Sequence, residues 1–207
     1  MSQYSQHYFD KWRRHPWHGL PPGKNPPQLL TVYVEITPFD SVKYEIDKRS
    51  GYLRVDRPSR SSSLPPTIYG FVPRTYCGTR VATFSPETEV GDRDPLDICV
   101  LSERLIDRSE VLLDAKVIGG LRTLDHGAAD DKIIAVLNED AVWGDAESIS
   151  DIPIQIVERL RHYFATYKMR SGEPSPVTVE EIYDAQTAFG IVEAAIQDYD
   201  DYFGSER

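Results

Sequence analysis

Three carboxylates fall within six residues in Asp92-Arg93-Asp94-Pro95-Leu96-Asp97, directly ahead of the apolar run 98–101. Gathering like charges costs energy unless a cation holds them, and a hard divalent ion, magnesium above all, is the usual partner of clustered aspartates. The plain alternative is a solvated acidic turn. Pro95 speaks against it by stiffening the turn and fixing the carboxylates relative to one another. An EF-hand is excluded, because Pro95 stands at position four and Asp97 stands where that loop needs its glycine. A zinc site made from His15, His18, Cys77 and Cys99 lacks a Cys-x-x-Cys pair, so buried, unpaired cysteines are the better expectation. A second acidic group, Asp125 to Lys132 with Asp130 and Asp131, reads alone as an exposed turn. It gains meaning only if the fold lays it beside residues 92–97, where two such loops could hold two or more cations. Lys43, Arg57, Lys132 and the pair Tyr167-Lys168 offer the positive charge and the phenol that phosphoryl chemistry requires.

Positioning these side chains falls mostly to strands. Leu30, Val32, Val34 and Ile36 alternate with Thr31, Tyr33, Glu35 and Thr37, a period-two pattern that puts Glu35 on the wetter face. Residues 42–47 and 52–57 flank Lys48-Arg49-Ser50-Gly51 and predict a β-hairpin that projects Lys43 and Glu45 to one side. Further short strands are expected over 98–101, 111–118, 121–124 and 132–137, a density that suggests a small, curled, mostly antiparallel barrel. Helices come late. Val157, Leu160, Phe164 and Tyr167 form one apolar stripe over 153–168, with Asp151 as cap and Pro153 in the first turn. Thr178-Val179-Glu180-Glu181 has the capping-box pattern and predicts a second helix from there to Phe203.

The 207 residues carry 33 acidic against 23 basic side chains, a net charge of -10. A nucleic-acid or anionic-membrane surface would call for the opposite sign, so neither is an expected partner. At 40% hydrophobic and 11% aromatic residues the chain can bury one core. The expected organisation is a proline-rich extended arm over residues 1–28 and a single domain over 29–207. No apolar run approaches the ~18 residues of a membrane span, and the N-terminal stretch lacks the apolar segment of a signal peptide. Two cysteines rule out a disulfide framework, and a cytoplasmic enzyme is the expectation.

These residues resemble the soluble family I inorganic pyrophosphatases. The family's Asp-x-Asp-Pro-x-Asp signature is matched by residues 92–97. Glu35, Lys43-Tyr44-Glu45, Val55-Asp56-Arg57, Tyr69-Gly70, Asp125, Asp130-x-Lys132 and Tyr167-Lys168 follow in the family's order, so the match covers roughly residues 34–168. The resemblance implies a mainly β, α+β fold: a five-stranded, OB-like closed barrel flanked by two C-terminal helices. It also implies hydrolysis of pyrophosphate to two orthophosphates by a multi-metal mechanism with a metal-activated water as nucleophile. The cofactor would be Mg2+, with Mn2+ or another divalent ion as a substitute.

By that resemblance Asp92, Asp97 and Asp130 are ligands of the tightest metal, Asp97 being shared with a second ion. Asp125 and Asp130 are ligands of metals arriving with substrate, and Glu45 is a further ligand, directly or through water. Glu35 hydrogen-bonds metal-bound waters from outside. Asp94 is the general base, Tyr69 hydrogen-bonds near it, and Lys43, Arg57, Lys132, Tyr167 and Lys168 contact the phosphates. Two departures stand out. Pro65 sits four residues before Tyr69, where many members carry a second tyrosine, and the loop 70–91 is long, as in the eukaryotic members. The compact members form hexamers and the longer ones dimers, so a homo-oligomer of either size is expected. A hydrolase of larger phosphoanhydrides, an OB-like binding module without catalysis and an aspartyl phosphotransferase are the competing readings. The first lacks a glycine-rich phosphate loop, the second would have no use for an intact set of acids, and the third lacks an apolar strand before residue 92.

Overall fold

Alternating apolar residues build β1 (Leu29–Ile36), whose two edges are both used. One edge pairs antiparallel with β4 (Ile68–Phe71) and the other with the first half of β6 (Leu112–Asp125). From β4 the pairing continues to β5 (Asp97–Leu101), then in parallel to β8 (Lys132–Leu137), and from β8 back to β6. The pairings therefore return to β1 through five strands. The short β7 (Ala128–Ala129) and β9 (Val177–Asp184) attach to the far half of β6, while β2 (Val42–Ile46) and β3 (Leu53–Pro58) form a separate hairpin. Three helices complete the computed structural model, which describes residues 13–204: α1 (Thr79–Ala82), α2 (Ile154–Thr166) and α3 (Ala185–Phe203). The architecture is a mainly β sheet with three helices.

Both faces of the central strands are buried, which is why β5 and β8 read as continuous apolar runs instead of alternating ones. On one face Ile98, Val100, Ile133 and Ala135 join Leu30, Val32, Val34 and Val117 under α3, which contributes Ala188, Ile191, Val192 and Ala195. On the other, Cys99, Leu101, Ile134 and Val136 pack with Ile118 and Leu121 under Val157, Leu160 and Phe164 of α2. Each aliphatic side chain removed from water in this way is worth about 1.5–3 kcal/mol. Cys77 and Cys99 are free and buried, one in each cluster.

Four local expectations are corrected. Asp151 does not cap α2, which starts at Ile154 with Pro153 as its N-cap and no side-chain cap; its carboxylate instead accepts from the Ser148 amide at 2.9 Å in the capping box of a short 3-10 turn over Ile149–Asp151. Residues 178–184 are strand β9 and not the start of a helix, because Val177, Val179, Ile182 and Tyr183 find an open edge on β6 that the capping-box pattern does not register. Asp184 is the true cap of α3, its side chain accepting from the Thr187 amide at 2.9 Å. The strands expected at 111–118 and 121–124 are one strand with a register shift between Val117 and Gly119. Gly120 is required by close approach there and not by a turn, since a Cβ would lie 2.3 Å from the Tyr183 ring. Within the loop 70–91, one turn of helix, α1, appears.

Two tertiary ties fix the periphery. Residues 1–12 of the proline-rich arm, like 205–207, lie outside the described residues. From 13 to 28 the arm runs in turns against the body, with Trp17 3% exposed and its Nε1 donating to the Thr75 carbonyl at 2.8 Å. At the other end of the chain the buried Asp198 of α3 accepts from the amides of Gly78, Arg80 and Val81 at 3.0–3.2 Å and from the Arg80 guanidinium at 3.1 Å. One carboxylate thereby ties the last helix to the loop that leads into residue 92.

His18 sits between these ends, stacked on Trp17 at 4.6 Å and hydrogen-bonded to the Tyr199 hydroxyl at 2.8 Å. Burial first, then the nearby His15 and Arg74, lower its pKa to about 4. The unfolded chain takes up this proton near pH 6.5, whereas the folded one resists down to about 4, so the contribution of His18 to stability is complete above 6.5 and declines as pH falls through that window. His18→Gln is expected to flatten the pH dependence of the melting temperature between 6.5 and 4. An unchanged slope in thermal unfolding would refute the assignment.

Candidate active site

The acidic turn is held from outside before any ligand is considered. The Cys77 amide donates to the Asp94 carbonyl at 2.8 Å, the Arg93 amide to the Cys77 carbonyl at 3.0 Å, and the Asp92 amide to the Ala129 carbonyl at 3.1 Å. Leu96 is fully buried, with its amide on the Thr75 hydroxyl at 2.9 Å. Arg93 takes a left-handed backbone with φ of 68°, and the Asp92 side chain accepts from the Asp94 amide at 3.0 Å. These contacts point the carboxylates of Asp92, Asp94 and Asp97 into one cleft of about 260 Å³.

Parallel pairing of β5 with β8 brings in the second acidic group. Asp97 and Lys132 are register partners, so the Lys132 Nζ, only 1% exposed, donates to Asp97 at 2.5 Å and also to Asp130. Burial, and then the crowding of neighbouring carboxylates, raises the pKa of Asp92 well above the usual range. Asp130 is raised as well, by burial first and by Asp97, against the pull of Lys132. One buried ammonium therefore faces Asp92, Asp97 and Asp130. This shortage of positive charge and the all-oxygen donor set fit a hard divalent ion better than zinc or copper. As the side chains stand, no three acidic, histidine or cysteine groups among the described residues converge into a ready cage; Lys132 takes the bridging position.

The remaining predicted residues frame the same cleft. Glu35, near the end of β1, accepts from the Ile46 amide at 2.6 Å and so joins the ring to the hairpin. Burial pushes its pKa up to about 8. Lys43 and Glu45 of β2 pair with each other, and Lys43 lies 3.6 Å from Asp56. At the end of β6, Asp125 accepts from Lys168 at 2.5 Å and from His126 at 2.8 Å. Burial opposes ionisation there, and these two partners overcome it, holding the acid below its usual range. Tyr69 on β4 and Tyr167 at the end of α2 are both held protonated, chiefly by burial. Every predicted site residue lines this cleft except Arg57, which pairs with Asp56 and lines the two adjoining recesses. Pro65, at the position of the missing tyrosine, lines the smaller of these with Tyr163 and Tyr167.

Lys48 was not anticipated. It lies at the hairpin tip, lines the cleft and forms an ion pair with Asp94; in sequence it is hidden in a segment that reads as a turn. Lys48→Met is expected to reduce turnover by about threefold to tenfold, in keeping with the modest worth of an exposed pair, with no change in melting temperature. A variant that matches the parent enzyme in rate would remove Lys48 from the site.

Comparison with known proteins agrees with this geometry. A family model described as inorganic pyrophosphatase matches residues 32–200. The chain is 45% identical over 203 residues to the inorganic pyrophosphatase of Chlamydia caviae, covering 93% of this chain and 94% of the relative. It is 35% identical over 188 residues to soluble inorganic pyrophosphatase 1 of Arabidopsis thaliana, covering 91% and 81%. The crystal structure of the Thermus thermophilus inorganic pyrophosphatase superimposes with a TM-score of 0.75 at 29% identity, over 90% of this chain and 99% of that one. The match runs through the acid-bearing turn, the ring that presents it and the helix that anchors it, and on that ground the chain is an enzyme of the inorganic pyrophosphatase family.

Proposed function

We propose that the protein hydrolyses inorganic pyrophosphate to two orthophosphates, in a reaction that depends on several magnesium ions and uses a water molecule as nucleophile. The observation that carries this is the meeting, in one cleft, of the acids Asp92, Asp94, Asp97 and Asp130 with Lys43, Lys132 and Lys168. Pyrophosphate is an anion that repels hydroxide, so its hydrolysis needs positive charge on the phosphate oxygens and a base at the water. Asp92, Asp97 and Asp130 would hold the tightest ion, and Asp125, Asp130 and Glu45 those that come with substrate. Bound magnesium supplies Lewis acidity, lowering the pKa of water and offsetting phosphate charge. Glu35, tethered to Ile46, positions water at the edge of the site. Asp94, exposed enough to meet solvent, takes or steers the proton of the attacking water. Lys43, Arg57, Lys132, Tyr167 and Lys168 bind the phosphates and offset charge that builds on the leaving group. Tyr69, which lines the cleft beside Asp97, hydrogen-bonds near the base.

The same reading takes the ring of five strands as a closed, OB-like barrel, and the protein as a cytoplasmic homo-oligomer, dimer or hexamer. Among the described residues no helix is long and apolar enough to cross a membrane. Phosphate release from pyrophosphate by the purified protein, with magnesium and then with excess EDTA, tests the activity. Rapid release that stops with EDTA is expected. Release from ATP at a greater rate would favour a nucleotide substrate, and no release from folded protein would leave only a binding role.

A further inference from the structure

Beside the catalytic cleft lies a second recess of about 360 Å³, sharing Tyr167 and Lys168 with it. Its lining gathers Arg57, Arg60, Lys168 and Arg170 against a single carboxylate, Glu173. This is a local reversal in a chain of net charge -10. The cations come from separate segments, Arg60 from beyond β3 and Lys168 and Arg170 from beyond α2, so no single run of sequence accounts for the cluster. Arg57 and Lys168 are paired with Asp56 and Asp125, whereas Arg60 and Arg170 form no ion pair among the described residues. Guanidinium groups left together beside an anion-binding cleft are suited to bidentate capture of phosphate oxygens. The volume exceeds the ~30 Å³ share of a water molecule many times over, so a phosphate group enters with part of its hydration.

We propose that this recess is a phosphate subsite continuous with the catalytic cleft, in which Arg60 and Arg170 hold a phosphate group beyond the two that react. The inference rests on the pyrophosphatase reading for the cleft and adds a site to it. The group is either the third phosphate of a longer phosphoanhydride chain or a separate orthophosphate ion.

Calorimetric titration of the full-length protein in magnesium, with analogues whose P–C–P links cannot be hydrolysed, separates the cases and needs no turnover. In the Arg60→Ala, Arg170→Ala double variant, affinity for bis(methylene)triphosphonate is expected to fall by about fivefold to tenfold. Affinity for methylenediphosphonate should stay within about twofold, and lysine at both positions should restore only a minor part of the loss, because an ammonium keeps the charge without the bidentate fork. A separate ion is indicated instead if orthophosphate binds to protein saturated with methylenediphosphonate, and loses that binding in the double variant. Equal weakening of both phosphonates would mean a diffuse charge effect, and no change in triphosphonate or orthophosphate binding would mean no subsite; either overturns the proposal. Failure of the wild-type protein to release phosphate from pyrophosphate would strike the catalytic reading alone, because these titrations would still report whether Arg60 and Arg170 grip phosphate.

Discussion

Lys132→Met is expected to destabilise the metal-free protein by about 3–5 kcal/mol, the usual consequence of removing one partner from a buried ionic group. For a chain of this size that is a fall in melting temperature of roughly 10 °C. The cause is specific: Asp97 and Asp130 would lose the one ammonium that bridges them among the described residues, while Asp92 adds a third carboxylate to the same cleft. The pH dependence has a definite sign. Asp92 and Asp130 are already raised in the folded state, so the fold binds protons more readily than the unfolded chain does above the ordinary carboxylate range, and stability declines as pH rises. In the variant this decline should steepen, making the metal-free protein more stable at pH 5 than at pH 8. Magnesium should recover part of the loss, and more in the variant than in the parent. Melting curves in EDTA that match those of the parent at both pH values would show that Lys132 is not the countercharge described.

Asp94→Asn is expected to lower turnover by about 10²–10⁴, the range for loss of a positioned general base, while melting temperature and magnesium affinity stay close to those of the parent. The asymmetry follows from what each atom of the residue does. Its carbonyl accepts from the Cys77 amide and helps lock the turn, and the substitution keeps that bond. Its carboxylate is 44% exposed and paired only with Lys48 among the described residues, so the fold asks little of it. Steady-state kinetics at saturating magnesium decide the matter. Unchanged kcat would place the base elsewhere, and a large loss of magnesium affinity would make Asp94 a ligand.

Much of this site was legible because its elements obey short-range rules. The spacing and proline of residues 92–97 announced a rigid acidic turn, and alternation located β1 and the β2–β3 hairpin with Lys43 and Glu45; Glu35, expected on the wetter face of β1, is instead buried where the hairpin covers it and the Ile46 amide meets its carboxylate. What joins Asp97 to Lys132 is a parallel pairing between strands separated in sequence by β6 and β7, and no local pattern encodes that register. The helix expected from Thr178 fails for a related reason: a capping-box pattern describes only its own neighbourhood, whereas β9 exists because the far half of β6 offers an edge to Val177 and Val179. Lys48 and the arginines beside Lys168 were invisible because loop cations are ordinarily solvated. Only the fold shows which of them face a cleft.

The Asp198 tie has a consequence for how the protein is made. Its partners Gly78 and Asp198 are 120 residues apart, and on a ribosome the acidic turn is finished long before the helix that steadies the loop leading into it. Until α3 is translated, the amides of Gly78, Arg80 and Val81 have no carboxylate to receive them and the apolar face beneath α3 is uncovered. From Lys132 until Asp198 emerges, the nascent chain therefore holds nearly all of its functional side chains without being able to use them. A ribosome stalled or a message truncated a few codons before Asp198 would yield no weakened enzyme. It would yield an exposed, sticky intermediate of the kind that chaperones and proteases compete for.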